Sequence, residues 1–102
     1  NLQIILDPVN LLDFCNYQEQ EAIVEEAIDV LGPDVAMVHL KDFMPKDGKL
    51  ESMGCGLGMM KYEAVLKFIK ERKPYIHVTL EDTKPENNQQ ARAHILELYR
   101  NV

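Results

Sequence analysis

The sequence has little of several features that would assign a function class directly. It contains no tryptophan, only two cysteines, and 11 basic residues against 17 acidic ones, which gives a formal net charge of −6. No basic stripe is present to release counterions from a phosphate backbone, so we expect no nucleic-acid partner. No apolar run approaches the roughly 20 residues of a membrane span, so we expect no membrane partner either.

The two cysteines, Cys15 and Cys55, lack both CxxC spacing and a second pair. Neither a zinc–thiolate site nor a disulfide framework is therefore indicated. Two free thiols suit a reducing compartment, and we expect a cytoplasmic location. Because the chain begins at Asn1 rather than at a methionine and starts directly with a strand pattern, we expect it to be a fragment of a longer chain.

What is present is the composition of one globular domain over residues 1–102, with 46% hydrophobic and 27% charged residues. Short apolar runs predict three strands, and apolar residues at three- and four-residue spacing predict three helices. The predicted order is strand 2–6, helix 19–31, strand 35–40, helix 62–73, strand 75–80 and helix 86–99. This βαβαβα order predicts an α/β fold with parallel strands, in an open sheet or a closed barrel.

The segment 44–59 is long for a loop in a compact domain, which favours a functional role. It contains Gly54, Gly56 and Gly58 in a GxGxG pattern that precedes a helix instead of directly following a strand. The simpler interpretation of these glycines is a flexible loop. Neither GxGxxG after the first strand nor GxxxxGK[ST] occurs, so the two common phosphate-binding motifs of open sheets are missing.

The most informative pattern is a metal-type side chain at the end of each predicted strand. Asp7 follows the first strand, His39 lies near the end of the second, and Glu81 ends the third. Because the carboxyl ends of parallel strands meet at one edge, we expect these three side chains to converge. Taken singly, each acid is more simply a helix cap or loop residue, and His39 a hydrogen-bonded core histidine.

Two carboxylates and one imidazole form a mixed oxygen and nitrogen ligand set. Such a set suits Mn²⁺ first, with Mg²⁺, Co²⁺ or Zn²⁺ as alternatives. A divalent ion of this kind can polarise a carbonyl and stabilise an enediolate, which is what sugar isomerisation and epimerisation require. The sequence thus predicts a divalent metal cofactor held by Asp7, His39 and Glu81.

The strand-end motifs resemble those of the xylose-isomerase-like TIM-barrel superfamily, which includes sugar-phosphate epimerases, inosose dehydratase, hydroxypyruvate isomerase and endonuclease IV. The resemblance covers nearly the whole chain, through the elements LDPVN at 6–10, VHLKD at 38–42, the glycines at 54–58, and TLED at 79–82. It implies that the chain is the C-terminal portion of a (β/α)8 barrel, contributing strands six to eight with their helices.

By the same resemblance, the metal ligands from strands six, seven and eight correspond to Asp7, His39 and Glu81. Glu81 would also be catalytic, as one of two glutamates that move a proton on opposite sides of the sugar. The partner glutamate of strand five has no counterpart in these residues, which leaves the fragment without one ligand and one acid/base group.

Two further residues are candidates for substrate binding. Asn10 lies three residues after the metal aspartate, where many relatives have histidine, and this DxxN pattern resembles the pentulose-phosphate epimerases. Lys41 is the group we expect to approach a substrate hydroxyl or phosphate, with pairing to a neighbouring acid at the barrel rim as the alternative. Endonuclease IV uses an additional Asp-x-His pair after strand seven. The loop here has Asp47 but no histidine, so we do not expect that activity.

Three hypotheses follow for the function. The first is that the intact protein is a metal-dependent isomerase or epimerase acting on a sugar or sugar phosphate through an enediolate, with this chain as its C-terminal part. The second is a lyase similar to inosose dehydratase, which abstracts the same kind of proton but expels a hydroxide. The third is that the isolated fragment is inactive and only structural. Three βα units leave open sheet edges, so such a fragment would self-associate or belong to a longer chain.

Overall fold

The computed structural model describes residues 3–102. Leu2, which the first predicted strand includes, lies outside the described residues. The strands are β1 (Ile4–Leu6), β2 (Val35–Leu40), β3 (Asp42–Lys46), β4 (Lys49–Met53) and β5 (His77–Leu80). The helices are α1 (Gln20–Leu31), α2 (Glu63–Arg72) and α3 (Asn88–Asn101), and short 3₁₀ turns lie at Pro8–Leu11, Tyr17–Glu19 and Gly32–Asp34.

Strands β1, β2 and β5 form one parallel sheet in the order β1-β2-β5. Leu6 pairs with Val38 across β1 and β2, and His39 pairs with Thr79 across β2 and β5. The predicted α/β class, with three parallel strands and three alternating helices, is confirmed. The third strand is shorter than predicted, because the chain turns after Pro74 and pairs only from His77 onward.

The hydrophobic core lies between one face of this sheet and the three helices. Leu6, Val38 and Leu40 are buried there, and the helices add the apolar faces that the sequence spacing predicts. These helix residues are Val24, Ile28, Val65, Leu66, Ile69, Ala91 and Ile95, and Phe68 of α2 joins them although the spacing did not predict it. No helix within residues 3–102 is both long and apolar enough to cross a membrane.

The segment predicted as one long loop is partly ordered as a β-hairpin, so that prediction is wrong for its first half. Strands β3 and β4 pair antiparallel, with Lys46 opposite Lys49. Asp47 and Gly48 form the two-residue turn with φ of 53° and 77°. Positive φ at both central positions is the requirement of a type I′ turn, which Asp-Gly satisfies.

The glycine segment after the hairpin is fastened to Asp42, contrary to its interpretation as a flexible loop. The Asp42 carboxylate is 1% exposed and accepts hydrogen bonds from the backbone N–H of Phe43 (2.9 Å), Gly56 (2.9 Å) and Met60 (2.8 Å). The N–H of Met59 also donates to the carbonyl of Phe43 at 2.9 Å. These bonds hold the segment against the start of β3.

Gly58 is required at its position by this close approach. A Cβ there would overlap the carbonyl oxygen of Phe43 and lie 2.6 Å from Oδ1 of Asp42. We expect Gly58→Ala to lower the free energy of unfolding by about 3 kcal/mol, because backbone must move to admit the methyl group. Urea unfolding followed by circular dichroism measures this change.

The matched control is Gly48→Asn in the hairpin turn. Nothing lies within 4 Å of a Cβ at Gly48, and asparagine tolerates the left-handed backbone conformation found there. We expect this variant to stay within about 0.5 kcal/mol of the parent protein. Equal stabilities of the two variants would contradict the packing described for Gly58.

Candidate metal centre

The three predicted ligands lie together at the carboxyl edge of the parallel sheet. Asp7, His39 and Glu81 each present one ligand atom, and these atoms all lie within 4.8 Å of one another. The strand register accounts for this: Asp7 follows the Leu6–Val38 pair on β1, beside His39 on β2. The sequence argument that parallel strand ends bring these side chains together therefore matches the observed geometry.

Asp7 is positioned by the turn that ends β1. It is the N-cap of the 3₁₀ turn Pro8–Leu11, and its Oδ1 lies 3.4 Å from the backbone nitrogen of Asn10. Pro8 fixes the backbone directly after it and is buried. The Asp7 side chain is only 10% exposed, so it is the more enclosed of the two carboxylates in the three-residue cluster.

His39 and Glu81 contact each other directly. Nδ1 of His39 lies 3.2 Å from Oε2 of Glu81, and Nε2 of the ring lies 3.2 Å from the sulfur of Met37. Glu81 continues the β5 ladder, since its N–H donates to the carbonyl of Leu40 at 2.8 Å. The His39 side chain is 24% exposed and that of Glu81 35%, so both are accessible from solvent.

Lys41 and Asn10, the predicted substrate-binding residues, also lie at this site. Nζ of Lys41 is 3.2 Å from Oδ2 of Asp7 and donates to Oδ1 of Asn10 at 3.0 Å. The Lys41 side chain is 12% exposed. Its observed contact is thus the pairing with a neighbouring acid that the sequence left as the alternative.

The ligand atoms are of the types that bind a divalent ion, and the distances between them are close to those around such an ion. Ligands about 2.0–2.2 Å from an ion lie about 3 to 4 Å from one another, depending on their angle at the metal. The observed limit of 4.8 Å among Asp7, His39 and Glu81 is slightly wider, and side-chain rotations can close that difference. Three protein ligands leave coordination positions open for water or substrate oxygens.

A buried layer below the site was not identified from the sequence. The hydroxyl of Tyr62 donates to the carbonyl of Lys41 at 2.8 Å and so fixes the backbone between His39 and Asp42. Burial is the main cause that raises the pKa of Tyr62, and it also raises the pKa of the Cys55 thiol to about 11. Both groups stay protonated at neutral pH.

A cleft of about 530 Å³ opens between the hairpin and the segment that follows β5. Glu51 and Ser52 of β4 line one wall, and Thr83 and Lys84 line the other. Asp82, directly after Glu81, also lines it and has a positive φ of 54°. The cleft is large enough for a small polar molecule, but Asp7, His39 and Glu81 are not among its lining residues.

Comparisons with known proteins return no relative: no protein-family model matches the sequence, and no curated protein or solved structure matches the chain. The roles of Asp7, His39 and Glu81 as ligands, of Glu81 in catalysis, and of Asn10 and Lys41 in substrate binding stay predictions. The ligand roles rest on side-chain chemistry and on the geometry of the cluster, whereas the catalytic and substrate-binding roles rest on the resemblance to the xylose-isomerase-like superfamily.

Proposed function

We propose that this chain is part of a metal-dependent isomerase or epimerase of a sugar or sugar phosphate, and that the activity belongs to the full-length protein. The observation that carries this proposal is the convergence of Asp7, His39 and Glu81 from three neighbouring parallel strands. Carboxylate and imidazole ligands with no thiolate favour Mn²⁺, Mg²⁺ or Co²⁺, and also admit Zn²⁺. We further propose a cytoplasmic location, since Cys15 and Cys55 are both free.

We also propose that the chain supplies strands six to eight of a (β/α)8 barrel. This proposal is supported by a difference between the two faces of the parallel sheet, since helices cover only one of them. Helices pack on the face of Leu6, Val38 and Leu40, whereas Ile5 and His77 on the other side are exposed. Parallel sheets are normally covered on both faces, and in a barrel the second face is the packed interior.

The proposed chemistry is proton transfer at the carbon beside a carbonyl. A bound divalent ion would hold the substrate oxygens and lower the energy of the enediolate. Glu81 is half-exposed at the edge of the site, where its carboxylate can accept the substrate proton and return it. Asn10 and Lys41 would orient a substrate hydroxyl or phosphate at the opposite side, next to Asp7.

Metal binding is the first expected consequence. We expect Mn²⁺ to bind the protein at one site and His39→Gln to weaken that binding by about 10-fold or more, because glutamine cannot replace the imidazole nitrogen. Isothermal titration calorimetry with MnCl₂ measures both affinities. The proposed metal ligand is removed while side-chain volume is nearly kept.

His77→Gln is the matched control, because His77 lies on the neighbouring strand β5 but is exposed and outside the three-residue cluster. It should bind Mn²⁺ as the parent protein does. Absence of Mn²⁺ binding by the parent protein, or equal loss in both histidine variants, would refute the proposed site.

A further inference from the structure

The Lys41–Asp7 pair differs from the other lysine–carboxylate pairs within residues 3–102. Lys41 and Asp7 are 12% and 10% exposed, whereas the pairs Lys46–Glu51 and Lys61–Glu21 lie more than half exposed at the surface. Exposed pairs are screened by water and contribute little. A pair with so little solvent around it interacts more strongly, because the surroundings screen its charges less.

We propose that Lys41 is an internal cation that competes with the divalent ion for Asp7 and thereby sets the metal affinity of the site. This inference rests on the proposed function, since it concerns the same three ligands. Asp7 is the member of the cluster that contacts a lysine, whereas Glu81 contacts His39. The lysine ammonium therefore opposes metal entry at Asp7.

The physical reason is that the Lys41 ammonium and the divalent ion would both contact the Asp7 carboxylate. An ion bound at Asp7 would lie only a few ångströms from Nζ of Lys41, which is 3.2 Å from Oδ2 of that residue. Two positive charges at such a distance repel each other, and low solvent exposure weakens the screening between them. Metal binding must overcome this repulsion or move the ammonium away from Asp7.

The Asn10 side chain offers the Lys41 ammonium a second hydrogen-bond acceptor besides Asp7. Its Oδ1 accepts from Nζ of Lys41 at 3.0 Å, so an ammonium that leaves Asp7 can remain at the edge of the site. There it would face the substrate rather than the carboxylate. The lysine would thus stabilise Asp7 without metal and bind an anionic or hydroxyl oxygen of the substrate once the metal is in place.

Calorimetric titration of MnCl₂ into variants of the protein tests this competition. We expect Lys41→Met, which keeps the apolar stem and removes the charge, to lower the Kd for Mn²⁺ by about 10-fold or more. Lys41→Arg keeps the charge and should bind no more tightly than the parent protein. Lys46→Met makes the same charge change on the exposed hairpin pair and should change the Kd by less than about twofold.

A second variant tests the competition independently, in case Lys41→Met does not fold. Asn10 is exposed, and Asn10→Ala removes the partner that receives the ammonium when it leaves Asp7, so we expect Mn²⁺ to bind about threefold more weakly. Unchanged or weaker Mn²⁺ binding in Lys41→Met, or unchanged or tighter binding in Asn10→Ala, beside normal binding by the parent protein, would overturn the competition alone. Absence of Mn²⁺ binding in every variant would refute the metal site as well.

Discussion

In the full-length protein, Glu81→Gln should reduce turnover by about 10²- to 10⁴-fold, the usual contribution of a positioned general acid or base. Glutamine keeps the size of the side chain but cannot accept a proton at neutral pH. The assay is exchange of the hydrogen beside the carbonyl with deuterium from D₂O, followed by NMR on ketoses and their phosphates. Product analysis in the same spectra separates isomerisation from loss of a hydroxyl group.

Glu81 is also a proposed ligand, so the measurement is made at saturating Mn²⁺. A low rate that persists there reports the loss of proton transfer rather than loss of metal. Glu97→Gln is the matched control, because Glu97 is an exposed glutamate of α3 that lies outside the cluster and outside the cleft beside Asp82. Unaltered turnover after Glu81→Gln would contradict the catalytic role.

Asp42→Ala should destabilise the protein more than any other single change discussed here, by about 4 to 6 kcal/mol. The substitution leaves the N–H groups of Phe43 and Met60 without their carboxylate acceptor in a buried position, and that of Gly56 in a partly buried one. Small domains are stable by only about 5 to 15 kcal/mol, so much of the protein would unfold. Chemical unfolding followed by circular dichroism measures the loss.

Two further variants test whether the loss of stability comes from the hydrogen bonds of Asp42. Asp42→Asn keeps one acceptor oxygen and should show an intermediate effect. Asp29→Ala removes a carboxylate from the exposed side of α1 and should stay within about 0.5 kcal/mol of the parent protein. If Asp42→Ala were as stable as Asp29→Ala, the bonds from Asp42 would not be what holds the glycine segment.

The helices and the parallel strands could be predicted from the sequence because their signals are local. Apolar spacing and the breakers at Gly32-Pro33 and at Pro74 place α1 and α2 within one residue of their observed ends. The meeting of three strand ends also follows from parallel pairing alone, without knowledge of the register.

The sequence contains a turn motif that indicates the hairpin, but the glycines and Pro45 favoured a loop instead. Asp47-Gly48 is a strong two-residue turn sequence, and Pro45 is tolerated in β3 because the hairpin forms a separate two-stranded sheet. A proline inside a strand pattern nonetheless argues for a loop when only the sequence is considered.

The contacts that fix the glycine segment could not be predicted, because they join residues far apart in the chain. Gln20 is buried at the start of α1, where its Nε2 donates to the carbonyl of Met59 at 3.0 Å. Its Oε1 accepts from the N–H of Lys61 at 2.8 Å. A polar side chain in a helix pattern indicates an exposed position, and only the packed structure shows it holding a segment about 40 residues away.

The most direct test of the proposed metal centre is an anomalous difference map from crystals of the protein grown with MnCl₂. We predict one manganese peak at the carboxyl edge of the parallel sheet, with one atom each of Asp7, His39 and Glu81 about 2.0–2.2 Å away. No peak at saturating MnCl₂, or a peak held by other residues, would contradict the proposal that these three side chains form a metal site.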